Sequence, residues 1–253
     1  MDETNMRQFD LGTINCSAHT IPQLLDEIKL LLHDKSLQPR ILLTINAHIY
    51  NLACEDVHLR RALNTARIVT ADGMSIVWAS RLFGVKIPER CNATEAFRAF
   101  LLADNIPHNT GILAGCTDDE ARLAADRIEK TSDHCRIIKT VSGYLSVSDY
   151  ESIFESLGEI DCIFLGMGTP KTEEISEVAK AKCPQAIVWG IGGGTIRIFA
   201  GTMKEAPVFW RCVGLQWLHR FCCDPRNLWR RYVIGNPAFI YRLCKARLRS
   251  KQG

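Results

Sequence analysis

Short apolar runs recur along the chain, with segments of helical period between them. Runs of strand length lie at 41–45, 68–70, 110–114, 136–140, 161–166 and 186–190. Apolar positions repeat with helical spacing over 47–65, 73–83, 93–104, 117–131, 148–157 and 171–182. This alternation predicts βαβ units and a mostly parallel sheet with helices on both faces. The runs Cys162-Ile163-Phe164-Leu165 and Ala186-Ile187-Val188-Trp189 are apolar at every position, as strands covered on both faces are. No internal repeat and no low-complexity linker interrupts the series. Residues 1–201 therefore read as one α/β domain.

The pattern changes after Gly201. Residues 207–223 read as a helix begun by Pro207. At roughly 100° per residue, Val208, Cys212, Leu215, Leu218 and Cys222 form one face. Phe209, Trp210, Val213, Trp217 and Phe221 form the other. A helix apolar nearly all round is buried or partly in a membrane. Residues 225–250 are arginine-rich with Leu228, Trp229, Tyr232, Phe239 and Tyr241 interleaved. Residues 202–253 thus read as a helical appendage, expected to be separable from a domain that folds without it.

Charge sharpens this division. The chain of 253 residues has a formal net charge of +3, yet from residue 204 onward eleven Lys and Arg face only two Asp and Glu. A basic tail on an acidic body meets something anionic, and nucleic acid and a membrane surface are the two candidates. Arginines among aromatics suit single-stranded nucleic acid; basic residues with Trp, Phe and Leu suit a bilayer interface. No run is long enough to span a bilayer. Met1 to Thr13 is polar, so no signal peptide is expected. The eleven cysteines are scattered, without C-x-x-C or a Cys/His cluster of zinc spacing. They read as small buried hydrophobes in a reducing compartment. The seven histidines show no pairing and read as structural or exposed.

Candidate chemistry sits where strands should end. Thr44-Ile45-Asn46, Thr70-Ala71-Asp72-Gly73 and Pro88-Glu89-Arg90 bring a hydroxyl, an amide, a carboxylate and a guanidinium to the rim where open α/β sheets bind ligands. Asp72-Gly73 is either an ordinary turn or a carboxylate placed to take a proton from a substrate hydroxyl. Gly166-Met167-Gly168-Thr169-Pro170-Lys171 follows an apolar strand and opens a helix, and Gly190-Ile191-Gly192-Gly193-Gly194 does so again. Each is either a tight turn or a phosphate cradle; two on neighbouring strands favour a diphosphate. The third glycine of a dinucleotide fingerprint is absent. No Asp-x-Asp marks a metal site at the crevice, and Asp118-Asp119 is expected to begin a helix, where carboxylates favour the dipole.

On these residues the chain resembles the WecG/TagA/CpsF family of bacterial glycosyltransferases. The matching pieces are T-x-N at 44–46, A-D-G at 71–73, G-x-x-x-P-E-R at 84–90, G-x-G-x-P-K at 166–171, A-G at 200–201, A-P at 206–207 and G-L-x-W at 214–217. D-P-R-x-L-W-R-R-Y and then G-N-P follow at 224–237. The resemblance implies a Rossmann-like α/β domain with a helical C-terminal appendage. It implies a metal-independent, inverting enzyme with no cofactor, peripheral on the cytoplasmic face of the inner membrane. The implied substrates are a UDP-sugar donor, of N-acetylmannosamine type or a related hexose, and a polyprenyl-diphosphate-linked saccharide acceptor. Asp72 matches the general base. Thr44, Asn46, Arg90 and Thr172 match acceptor positions. Gly166, Gly168, Lys171, Gly192 and Gly193, with Arg220, Arg230 and Arg231 of the appendage, would serve the nucleotide and diphosphates. An anionic membrane surface is the expected partner, nucleic acid is not, and a homo-oligomer is allowed.

The chain departs from the family pattern at several positions. It has Ala93 and Glu95 for Gly and Asp, Thr172 for Gln, Gln216 for Glu and Asn227 for Arg. Arg197 and Glu205 stand where Asp and Arg are usual, a swap that predicts an ion pair between them. Two other functions remain compatible with the residues alone. One is a Rossmann-type nucleotide-binding oxidoreductase; the other is a non-catalytic RNA-binding module that uses the basic tail.

Overall fold

The computed structural model describes residues 8–212 and 214–249, with only the backbone described at Cys212. Residues 1–7, where half of the polar N-terminus lies, Val213 of the tail's aromatic face, and residues 250–253 lie outside the described residues.

Eight strands form one sheet: β1 Gln8–Asp10, β2 Asn15–Ser17, β3 Ile41–Ile45, β4 Ile68–Ala71, β5 Asn109–Gly115, β6 Cys135–Val141, β7 Cys162–Gly166 and β8 Ile187–Gly190. Their order is β1-β2-β4-β3-β8-β7-β5-β6. Only β1 and β2 pair antiparallel; the other pairings are parallel. The six strands read from apolar runs lie where expected, each end within one residue. The β1–β2 hairpin at the sheet edge was not expected, and neither was helix α1 (Ile21–His33), which opens with a Thr20/Gln23 capping box.

The helices after the strands are α2 Ala47–Glu55, α3 Val57–Thr65, α4 Met74–Leu82, α5 Ala93–Leu102, α6 Asp118–Thr131, α7 Val147–Glu155, α8 Lys171–Lys182 and α9 Gly193–Ala200. The single helix expected over 47–65 is two. Asp56 ends α2 in an extended conformation, and its carboxylate caps α3 by accepting from His58 N at 2.8 Å and Leu59 N at 3.1 Å. Asp118 and Asp119 occupy the first turn of α6, as expected.

Alternate strand residues feed two cores. Ile41, Leu43, Ile45, Ile163, Leu165 and Val188 face one layer, packed by α2, α3, α4, α7 and α8. Leu42, Cys162, Phe164, Ile187 and Trp189 face the other, packed by α1, α5, α6 and α9. Neighbouring strands β3 and β8 therefore send their following helices, α2 and α9, to opposite faces. A crevice opens between such loops, at the carboxyl ends of the strands.

The appendage contains α10 Val208–Cys212, α11 Gln216–Cys223, α12 Pro225–Trp229, a π-helical turn Arg230–Ile234, and α13 Gly235–Arg249. The continuous helix expected over 207–223 is broken at Gly214. Its φ of +74° suits glycine, and a Cβ there would stand 2.6 Å from Met74 Cγ. Two uninterrupted apolar faces therefore do not form. The C-terminal helix instead enters the first core: Phe239 and Leu243 are buried, and Phe239 meets Tyr50 edge-on with ring centroids 5.2 Å apart. Asn51 Nδ2 donates to Gly235 O at 2.7 Å, and Arg242 donates to Asn51 O and Glu55. No described helix is long and apolar enough to cross a membrane.

Candidate functional site

Two strand ends and the segment before α5 meet at Asp72. The register pairs Thr44 with Thr70 and Ile45 with Ala71, so Asn46 and Asp72 leave the sheet side by side. Asn46 caps α2, its side-chain oxygen accepting from His48 N at 3.0 Å and Ile49 N at 3.1 Å. Asp72 is held by the segment before α5: its Oδ1 accepts from Asn92 Nδ2 at 2.9 Å and Ala93 N at 3.1 Å. Asn92 is itself fixed, its Oδ1 capping α5 through Thr94 N and Glu95 N. Among the described residues no donor reaches Oδ2. The carboxylate is thus pinned at one oxygen and open at the other.

Two cavities of about 450 and 400 Å³ adjoin here, within the usual range for ligand sites. The polar one runs along the glycine loops and includes Thr44, Gly166, Gly168, Thr172, Gly192 and Gly193. The apolar one runs between α4 and the appendage, past Met74, Trp78, Leu82, Trp217, Phe239 and Leu243. Asn46, His48, Asp72, Asn92, Arg220 and Arg231 border both. Asp72 therefore stands at the junction of a glycine-lined polar cavity and an apolar groove.

The polar cavity depends on close backbone approach. A Cβ at Gly115 would stand 2.4 Å from Gly166 O, and one at Gly193 would stand 3.0 Å from the same oxygen. Cys116 follows with φ of +57°, its thiol buried against Gly166 O and Gly193 O. Burial raises the pKa of that thiol and keeps it protonated. Gly115→Ala should push β5 away from β7 and cost about 1–3 kcal/mol, the usual range for overpacking. The thermal midpoint should fall by several degrees, with the shape of the polar cavity altered. Gly158, where a Cβ would meet nothing within 4 Å, is the control: Gly158→Ala should change neither. Equal melting of the two variants would show that the approach of β5 and β7 is not what shapes the cavity.

Arg90 ties the apolar groove to the appendage. It donates to Gln216 Oε1 at 2.9 Å and pairs with Glu95 at 2.8 Å. Glu95 also meets Arg211 at 3.5 Å; Arg211 pairs with Glu205 at 2.9 Å, and Glu205 with Arg98 at 3.1 Å. This chain of charges crosses from α5 to the appendage. It also corrects the expected Arg197–Glu205 pair. Glu205 is held by Arg98 and Arg211, while Arg197 borders the polar cavity with Glu120 at 3.5 Å. The two swapped charges have separate partners, Arg98 and Arg211 for Glu205 and Glu120 for Arg197.

Of the residues singled out in the sequence, Thr44, Asn46, Asp72, Arg90, Thr172, Gly166, Gly168, Gly192, Gly193, Arg220 and Arg231 border one or both cavities. Thr172 is buried and its hydroxyl accepts from Met167 N at 3.2 Å, bracing the first glycine loop. Lys171 does not enter: its ammonium donates to Leu145 O at 2.6 Å and lies over the Tyr150 ring. Arg230 does not enter either. Successive residues of a helix diverge by roughly 100°, so while Arg231 reaches the crevice, Arg230 borders only an adjoining cavity with Asn51, Glu55 and Arg242, which Arg231 also lines.

Several bordering residues escaped the sequence reading. His48, grouped with the structural or exposed histidines, borders both cavities. Burial, and then the charge of Arg231, lowers its pKa and favours the neutral ring. Tyr144, 69% exposed, stands at the rim of the polar cavity. Glu173 lies behind the first glycine loop with Oε1 accepting from Thr169 at 2.9 Å and Oε2 buried without a partner; burial raises its pKa. Asn92 was legible: Asn92-Ala93-Thr94-Glu95 places a capping residue three positions before a glutamate, at the start of an apolar helix.

Known proteins match this chain over its length. The profile of the glycosyl transferase WecG/TagA/CpsF family matches residues 9–253. Among curated proteins, an N-acetylglucosaminyldiphosphoundecaprenol N-acetyl-beta-D-mannosaminyltransferase of Staphylococcus aureus (strain NCTC 8325 / PS 47) is 25% identical over 253 residues, 99% of this chain and 98% of its own length. The enzyme of the same name from strain MRSA252 matches equally, at 25% identity over 99% of this chain and 98% of its own length.

Proposed function

The chain belongs to the glycosyl transferase WecG/TagA/CpsF family, and on that premise we propose that it transfers a hexose, of N-acetylmannosamine type or related, from a UDP-sugar to a polyprenyl-diphosphate-linked saccharide, inverting the anomeric centre. The observation that carries this is the position of Asp72 between the polar and apolar cavities. A nucleotide diphosphate suits the glycine loops, whose backbone amides and helix N-termini favour anions. The exposed Tyr144 ring at their rim offers a face for the base. A lipid-linked sugar suits the groove, where Asn46 and Arg90 meet polar groups and Trp78, Leu82 and Leu243 meet the first isoprene units. The relatives' name, with its undecaprenyl diphosphate acceptor, supports the same division.

The reaction is one displacement. The acceptor hydroxyl oxygen attacks the anomeric carbon, forming the new glycosidic bond. The bond from that carbon to the β-phosphate oxygen breaks, and its electron pair leaves with UDP. The hydroxyl proton passes to Asp72 Oδ2, while Asn92 and Ala93 N–H hold Oδ1 and fix the orientation. Arg220 and Arg231 stabilise charge on the departing diphosphate. The appendage brings the enzyme to the cytoplasmic face of the membrane. Trp229, Val233, Tyr241 and Leu248 of the appendage are exposed, among basic residues, a combination suited to the bilayer interface.

The test is UDP release with a panel of UDP-sugars and a short-chain polyprenyl-diphosphate-N-acetylglucosamine acceptor, with and without EDTA. Release that depends on both substrates and persists in EDTA is expected. No release with any donor would overturn the reading. Release abolished by EDTA and restored by Mn²⁺ or Mg²⁺ would overturn the metal-free displacement alone.

A further inference from the structure

The cavity that Arg230 lines adjoins the crevice, sharing His48 and Arg231 with it. It lies between the end of α2 and the π-helical turn, and Arg230, Arg231 and Arg242 line it with Asn227 and Ile234. Its volume is about 480 Å³, ample for a phosphate with its substituents. Glu55 is the one carboxylate on its wall, and Arg242 takes it up. Arg242 is otherwise spent on Asn51. Arg230 has no such partner. Among the described residues its guanidinium makes no ion pair or hydrogen bond, and it lies 5.5 Å over its neighbour's ring, Trp229. The cavity is therefore positive, with an unspent guanidinium at its mouth.

The surroundings identify the source of the anion. Apolar side chains facing solvent accompany the cavity: Ile234 on its wall is 54% exposed, and Trp229, whose ring carries the Arg230 guanidinium, is 44% exposed. Val233 and Tyr241, next in sequence to the lining residues Ile234 and Arg242, are exposed as well. A soluble phosphate gains nothing from such neighbours, whereas a phospholipid places its phosphate beside acyl chains that cover them. Interfacial aromatics and basic residues at one depth match that geometry. We propose that this cavity receives the phosphate of an anionic membrane phospholipid, held by Arg230 and Arg231. The proposal rests on the reading of the appendage as membrane-facing. Arg231 also borders the crevice, so a lipid phosphate would sit next to the guanidinium that serves the diphosphates.

The experiment uses the full chain and vesicles of phosphatidylcholine, with or without phosphatidylglycerol. Removing any one surface charge from the appendage should weaken partition into the anionic vesicles by roughly five-fold. Arg226→Gln, outside the cavity, provides that baseline. Arg230→Gln should cost roughly thirty-fold, because it removes charge-assisted hydrogen bonds as well as a charge. Ala238→Glu, which puts a carboxylate inside the cavity, should reproduce the larger loss. Neither variant should change partition into phosphatidylcholine alone. Equal losses for Arg226→Gln and Arg230→Gln would overturn the site in favour of diffuse attraction. Stabilisation of the vesicle-free protein by inorganic phosphate, lost in Arg230→Gln without any loss on vesicles, would assign a soluble phosphate instead. Sugar transfer in detergent reads the transferase activity separately from either result.

Discussion

Asp72→Asn is expected to lower turnover by about 10²–10⁴-fold, the range for a lost acid–base group, with fold and donor binding unchanged. The substitution is isosteric. Asn can still present an oxygen to Asn92 Nδ2 and Ala93 N, the two donors that hold Oδ1, so the loop before α5 keeps its anchor. What it loses is the free oxygen at the junction of the two cavities, where an amide cannot accept a proton. Single-turnover transfer with saturating donor isolates this step. The thermal midpoint and the affinity for UDP should match the parent protein. Near-normal turnover would sink the assignment of Asp72 and leave His48 as the remaining candidate base among the residues that border both cavities.

The central strands were legible because burial on both faces leaves a continuous apolar run, which β7 and β8 show at nearly every position. The strand-end chemistry followed from that, since Asn46, Asp72 and the two glycine loops are fixed by where β3, β4, β7 and β8 stop. What escaped has physical reasons. The β1–β2 hairpin has three-residue strands with polar sides at an edge, so no run or alternation is long enough to register. Helix α1 carried a readable start, Thr20 with Pro22 and Gln23, but no preceding strand pattern drew attention to it. The break at Asp56 changes no apolar periodicity, because one aspartate both ends α2 and caps α3. Helix phase, which motif matching ignores, separated Arg230 from Arg231. The Arg197–Glu205 expectation failed because swapped charges need not stay partners: Glu205 is taken up by Arg211, six residues on, and by Arg98 of α5, which the sequence does not place beside it.

Replacing both Arg220 and Arg231 with alanine is expected to lower kcat/KM by roughly 10²–10⁴-fold, taking each lost charged hydrogen bond within its usual range. Among the described residues neither guanidinium has an ion pair or hydrogen bond within the protein, and both border the polar cavity and the apolar groove. Their removal therefore strips no internal hydrogen bond or ion pair, only the contact of Arg231 with the Tyr232 ring at 5.6 Å, and the thermal midpoint should hold. Deleting the appendage after Gly201 is a poorer test. That cut also takes Phe239 and Leu243 out of the core beside Tyr50, and losing large buried side chains costs about 2–5 kcal/mol each. Loss of activity would then mix unfolding with chemistry. The point variants avoid this and also divide the two diphosphates. Weaker UDP binding in Arg220→Ala alone would assign that residue to the donor; a raised acceptor KM with UDP affinity intact would assign it to the acceptor. Lysine at either position should recover little, because an ammonium cannot make the paired bonds of a guanidinium fork. A double variant that keeps kcat/KM within a few-fold of the parent would mean that the appendage only covers the crevice. The charge of the diphosphates would then be met by the glycine-loop amides alone.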